Sequence, residues 1–317
     1  CHPLPMPRLH LLLIVGLAFL ASFLAGCATV ATYAAMPFLF EEVAVPDERT
    51  ERNLSYREAP TADPDKLRFD WYRPEGRDWK TVIFVHGGGW RSGDRALVVG
   101  GADVYRNIGR FFASRGIAAA VISYRLQPEV AWSEQVIDVT HAVRAIRDKI
   151  ASEGGDPDGI FLSGHSAGAH LSAYAGLDGD RLEAQGVPPA SICGLIPVSG
   201  AALDLNDDQS WALGQSESYY ANRFGTEESP EVWRARASVS PLVGADAPPA
   251  LILYAGGESK VLIRQAHALH ERYRAVGAVS QLVEVPGEDH SRIVLTLSRE
   301  DKTAGPAMLA FVRRAGC

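Results

Sequence analysis

Apolar and polar positions change period in regular blocks past residue 66. Leu67-Arg68-Phe69-Asp70-Trp71-Tyr72 alternates with period two and stops at Pro74, which predicts a strand at a sheet edge. Further strands are predicted over 80–85, 117–123, 159–162, 192–198, 250–254 and 280–285. Several of these runs are apolar throughout, as expected of strands covered on both faces. Between them, apolar spacings of three and four predict helices over about 102–114, 133–152, 167–177, 260–276 and 303–314. In the first of these, Val104, Ile108, Phe111 and Phe112 share one side. Strands alternating with helices predict an α/β fold with a mostly parallel central sheet flanked by helices.

Residues 203–247 break the alternation. Trp211, Tyr219, Tyr220, Phe224 and Trp233 stand there among polar residues, with signs of short helices only. Two readings stay open: a small cap or lid that contacts a ligand, or an insertion whose aromatic rings pack onto the body.

The amino-terminal part follows another rule. No charged residue occurs from Leu11 to Phe40, and Arg8 precedes the run, the layout of an export signal that would start at Met6 and leave residues 1–5 outside it. The run ends in Leu24-Ala25-Gly26-Cys27, which resembles the lipobox of bacterial lipoproteins, where cleavage leaves the cysteine acylated at the new terminus. That reading divides the chain into a signal peptide (1–26), a lipidated tether (27–55) and one folded α/β domain (56–317). It places the protein on a membrane through Cys27, at the periplasmic face of the outer membrane. An uncleaved transmembrane anchor is the alternative, since the run is long enough to span a bilayer.

Composition narrows the classes. With 317 residues, 47% hydrophobic and 22% charged, the chain can bury a large core, which excludes disordered, collagen-like and disulfide-scaffold classes. The net charge of −7, without a basic cluster, disfavours a nucleic-acid partner. Cysteines at 1, 27, 193 and 317 lack the spacing of a zinc site or redox pair. Cys193, inside the apolar run 192–198, reads first as a buried free thiol; a disulfide with Cys317 in an oxidising compartment is the alternative.

The chemistry concentrates in three places. Phe161-Leu162-Ser163-Gly164-His165-Ser166-Ala167-Gly168 carries G-x-S-x-G where a strand passes into a helix, the turn that exposes a nucleophilic serine. Ser166 as a mere helix N-cap is the bland reading. Upstream, His86-Gly87-Gly88-Gly89-Trp90 ends another apolar strand, and the N–H groups of Gly88, Gly89 and Ala167 form the natural set of donors to an oxyanion. The run lacks the Gly-Lys-Ser/Thr ending and the G-x-G-x-x-G spacing of a phosphate loop.

A serine nucleophile needs a histidine base, and the histidine needs a carboxylate. His290, in the loop after the last strand, is the candidate base. His267 and His270 share a helix face and read as surface or packing residues, with no third ligand to make a metal site. Glu258 is the only carboxylate in the turn after the 250–254 strand and is the candidate acid; Asp204 and Asp207 are its rivals, and Asp289 is expected to point away from the ring.

With these residues in place, the chain resembles the α/β-hydrolase superfamily over roughly residues 66–314. Within it the likeness is to the esterase branch that holds hormone-sensitive-lipase-like and feruloyl-esterase-like proteins, isoprenylcysteine methylesterases and kynurenine formamidases. The resemblance rests on Leu67 to Pro74, His86 to Trp90, Ser123-Tyr124-Arg125-Leu126, Gly154-Gly155-Asp156-Pro157, Ser163 to His170, Val198-Ser199-Gly200 with Asp204-Leu205, and Arg264-Gln265. Gly164 to His170 looks like the formamidase and methylesterase members, whereas Gly89 looks like the esterases. Glu258 departs from the usual aspartate.

The implied function is a serine carboxylesterase acting on small-molecule esters through Ser166, His290 and Glu258, with no metal or organic cofactor required. An arylformamidase and a non-catalytic binding protein on the same fold are the alternatives.

Overall fold

The computed structural model describes residues 39–225 and 228–317. The export signal, Cys27 and the first part of the tether, residues 27–38, lie outside the described residues. Eight strands form one sheet in the order β1-β2-β6-β3-β7-β8-β9-β10. These are β1 (Thr50–Ser55), β2 (Arg68–Tyr72), β3 (Thr81–Val85), β6 (Ala118–Ile122), β7 (Ile160–His165), β8 (Ile192–Val198), β9 (Ala250–Ala255) and β10 (Ser280–Val285). β2 runs antiparallel to both β1 and β6, and the ladder from β6 to β10 is parallel throughout. A separate two-stranded ribbon joins β4 (Val98–Val99) to β5 (Ala102–Asp103).

The parallel strands read as unbroken apolar runs because each side chain meets a covered face. Period two sorts them into two cores. Ile83, Val85, Leu162, Leu195 and Ile252 face helices α2 (Trp132–Glu153), α3 (Ala167–Leu177) and α8 (Lys260–Ala275). Val82, Phe84, Phe161, Ile196, Leu251 and Leu253 face α1 (Val104–Ala113), α9 (Arg292–Leu295) and α10 (Ala304–Arg314). Ile108, Phe111 and Phe112 of α1 are buried in this second core, on the side their spacing predicts. A short helix, α4 (Gly179–Ala184), follows α3. Among the described residues no helix is long and apolar enough to cross a membrane.

Three expectations change. The strand ending before Pro74 is not the edge, because β1 pairs with its outer side through Thr50↔Tyr72 and Leu54↔Phe69. β1 lies inside the segment read as tether, so the packed body begins ahead of residue 56. Its sequence, Thr-Glu-Arg-Asn-Leu-Ser, is mostly exposed and lacks an apolar face, so only its partner strand reveals it. Third, Cys193 is not a free thiol: it forms a disulfide with Cys317, with Cα atoms 5.8 Å apart. The cysteine sits at the buried start of β8, and the chain after α10 returns to meet it.

Residues 203–247 form α5 (Asp208–Ala212), α6 (Glu217–Phe224) and α7 (Pro230–Ala237). Tyr220, Phe224 and Trp233 are buried in the first core, so most of these rings pack onto the body. Tyr219 is the exception, 39% exposed.

Candidate active site

The carboxyl ends of the parallel strands converge on one edge of the sheet. β7 delivers Ser166, which opens into α3 with φ 56° and ψ −117°. A non-glycine residue in that region is strained, and the surroundings must hold it there. The flanking glycines supply the room. A Cβ on Gly164 would lie 2.4 Å from the Gly168 carbonyl oxygen, and one on Gly168 would lie 2.1 Å from the Val85 carbonyl oxygen. The Ser166 N–H donates to the Val198 carbonyl at 3.0 Å, tying the turn to β8.

His290 hangs from the loop after β10, with its Nε2 3.0 Å from Ser166 Oγ. Its Nδ1 lies 3.4 Å from Oε2 of Glu258, in the turn after β9. The Glu258 side chain is wholly buried. Its other oxygen accepts from the Ala255 N–H at 2.8 Å and from the Ser199 hydroxyl. A buried carboxylate held by these donors can orient an imidazole and stabilise its cation.

The rival carboxylates are engaged elsewhere. Asp207 caps α5 and takes a bidentate pair from Arg264 at 2.8 and 3.0 Å. Asp204 accepts from the Asn206 N–H. Asp289 accepts from the N–H groups of Ser291 and Arg292. His270 bonds Ser280, and His267 packs beside Tyr254. Among the described residues no group of three or more His, Cys, Asp or Glu could hold a metal ion.

Gly87, Gly88 and Gly89 line the same cavity as Ser166 and His290, a space of about 570 Å³. Gly88 has φ +122°, and a Cβ there would stand 2.0 Å from the Ser92 carbonyl oxygen. Ala167 is the first residue of α3, where backbone N–H groups have no intrahelical acceptor. Gly88 and Gly89 thus line the space above Ser166, and Ala167 follows Ser166 at the start of α3.

Residues given no role by sequence complete the site. Ser199, in the Val198-Ser199-Gly200 motif, turns out to hold Glu258. His165, the variable position of G-x-S-x-G, places its Nε2 2.8 Å from the His290 carbonyl oxygen, with ring centroids 4.6 Å apart. Burial, with His290 close by, lowers its pKa to about 3, so it stays neutral and donates. His170 accepts from the Trp90 indole N–H at 3.3 Å and donates to the Ala237 carbonyl at 2.7 Å, joining the glycine loop, α3 and α7. Burial lowers the pKa of His170 and of His86 to about 4. Tyr219 and Arg223 of α6 reach the glycine loop: Arg223 Nε donates to the Gly89 carbonyl at 3.2 Å and its guanidinium lies 3.4 Å from the centre of the Tyr219 ring.

In sequence and in fold the chain is similar to known esterases. The model of the BD-FAE family matches residues 69–273. Esterase LipC of Mycobacterium tuberculosis is 31% identical over 254 residues, covering 76% of this chain and 60% of that protein. The isoprenylcysteine alpha-carbonyl methylesterase ICME of Arabidopsis thaliana is 28% identical over 262 residues, covering 78% and 58%. The chain thus spans about three fifths of the length of these relatives. An inhibited esterase B from Lactobacillus rhamnosis superposes with a TM-score of 0.67 at 25% identity, covering 93% of this chain and 96% of that one.

Proposed function

The chain belongs to the BD-FAE family, in the esterase branch of the α/β-hydrolases, and from that premise we propose that it is a serine carboxylesterase of small to medium carboxylic esters. The observation that carries this reading is the continuous line from Glu258 through His290 to Ser166, at 3.4 and 3.0 Å. Ser166 Oγ attacks the ester carbonyl while His290 Nε2 takes its proton. Glu258 steadies the imidazolium, and the N–H groups of Gly88, Gly89 and Ala167 receive the oxyanion. His290 then protonates the leaving alcohol, and water releases the acid from the acyl-enzyme by the same steps.

The test is hydrolysis of p-nitrophenyl acetate, butyrate and octanoate, beside N-formylkynurenine, by the protein and its Ser166→Ala variant. Ester turnover that vanishes in the variant supports the reading. Turnover of the formamide alone supports an arylformamidase, and turnover of neither supports a binding protein on the same fold.

The reading extends to location. The apolar run after Arg8 and the Leu24-Ala25-Gly26-Cys27 motif support an exported lipoprotein held on the periplasmic face of the outer membrane through acylated Cys27. A disulfide between Cys193 and Cys317 is at home in such an oxidising compartment. Radiolabelled palmitate incorporated by the protein and not by a Cys27→Ser variant would support the anchor; equal labelling, or none in either, would remove it.

A further inference from the structure

A second cavity, of about 660 Å³, adjoins the one above Ser166 and shares Leu97, Tyr105 and His165 with it. Its remaining walls are Leu39, Val99 of β4, and Val294 and Leu295 of α9, with Asp289, Ser291 and Arg292 also lining it. The volume falls within the range of small-molecule sites, and the walls are largely aliphatic or aromatic. The position relative to His290 assigns it a role. Residues on both sides of His290 in the chain line it, and so does His165, whose ring packs on that of His290.

We propose that this cavity receives the alcohol part of the ester, and that the preferred substrates carry a medium-length alkyl alcohol. The inference rests on the serine esterase reading. When the tetrahedral intermediate collapses, the bond from carbonyl carbon to alcohol oxygen breaks and its electron pair goes to that oxygen. The proton leaves His290 Nε2 for the same oxygen, and Ser166 Oγ keeps its new bond to the acyl carbon. The departing oxygen must therefore lie on the His290 side of the serine, and the chain it carries extends toward the cavity that His290's neighbours enclose. The acyl part is left the space on the side of Gly89, where Tyr219 and Arg223 stand.

The experiment compares two ester series, one with a butyrate acyl group and methyl, butyl, hexyl and octyl alcohols, the other with p-nitrophenol and acetyl to octanoyl groups. Val99 is half-buried in the two-stranded ribbon, so Val99→Trp fills the cavity and Val99→Asp charges its wall without opening the main sheet. The expected result is a kcat/KM that rises about threefold per methylene along the alcohol series. Both variants should lower the octyl-to-methyl ratio at least tenfold and leave the octanoyl-to-acetyl ratio within about twofold. An octyl-to-methyl ratio unmoved by either variant, or an acyl ratio that moves in its place, overturns the proposal.

Titration of octan-1-ol into the full protein and the Val99→Trp variant by calorimetry separates the two readings. If no ester is turned over, the esterase reading falls by itself. Saturable binding of the alcohol that disappears in the variant still upholds the cavity as its site, and absence of saturable binding in the parent protein removes it.

Discussion

The backbone carbonyl of His290 accepts a hydrogen bond from the His165 ring at 2.8 Å, so the residue just before Ser166 holds the loop that carries His290. Replacing His165 by Phe removes this donor and frees the loop. The expected outcome is a fall in kcat of about tenfold to a hundredfold with little change in KM, because a base displaced by a fraction of an ångström loses alignment more than binding. His165→Gln, which keeps a donor of similar reach, should recover most of the rate. Equal loss in both variants would mean that His165 acts by packing alone.

Three buried imidazoles set the acid side of the stability profile. Burial lowers the pKa of His86, His165 and His170 below the ordinary 6.5, to about 4, 3 and 4. The unfolded chain therefore binds more protons than the folded one below pH 6.5, and stability falls as the pH drops from there toward 4. Each imidazole contributes a slope of up to about 1.4 kcal/mol per pH unit in that window. Urea unfolding at pH 7, 6 and 5 should show the loss, and His165→Gln should make it shallower. A midpoint that stays constant from pH 7 to 5 would contradict this account.

The carboxylate partner of His290 is open to a direct comparison. Glu258→Gln is expected to lower kcat by about 10³ to 10⁴, the size of effect seen when a triad acid is neutralised in place. Asp204→Asn should stay within about threefold of the parent, since its carboxylate is directed to the Asn206 N–H. Asp207→Asn should cost stability by weakening the Arg264 pair, and change kcat far less than Glu258→Gln does. A reversed order of the Glu258 and Asp204 effects would reassign the acid.

Backbone geometry at Ser166 gives a prediction of opposite sign for stability and activity. Ser166 has φ 56°, where only glycine is unstrained. Ser166→Gly should abolish turnover and raise stability by about 1 kcal/mol, whereas Ser166→Ala should abolish turnover without that gain. Gly168→Ala, with its Cβ 2.1 Å from the Val85 carbonyl oxygen, should fold poorly or not at all. Thermal melts of the purified variants distinguish these outcomes.

The disulfide is expected to act on stability alone. Cys193 lies near the start of β8, while the site lies beyond its far end at Val198, roughly 16 Å away at the strand rise per residue. The bond closes a separation of 124 residues, for which the chain-entropy argument gives about 5 kcal/mol as an upper value. Cys317→Ser should lower the melting temperature and leave kcat/KM at room temperature within about twofold. A large loss of kcat/KM in a folded variant would show that the bond reaches the site.

Much of this architecture is written in local pattern. The apolar runs that become β3, β6, β7, β8 and β9 can be read directly, because strands covered on both faces need little else. The glycines at 164 and 168 also speak for themselves: a strand-to-helix turn with φ above zero at its centre admits no side chain at either position. Ser166 and the glycine loop were therefore legible without coordinates, as was the loop that carries His290.

What the tertiary structure decided are matters of encounter between distant segments. Which carboxylate meets His290 depends on how the turn after β9 packs against the loop after β10, and Ser199 from a third loop takes part in it. Thr50–Ser55 becomes a strand only because β2 offers an open edge to pair with. Cys193 finds Cys317 across 124 residues, a meeting no local spacing encodes. Phe224 in 203–247 could equally have lined a lid, and it is buried because Trp90, Trp132 and His170 come together around its ring. Local backbone preference and apolar period belong to the sequence, whereas long-range pairing depends on how the folded elements close the distance between the partners.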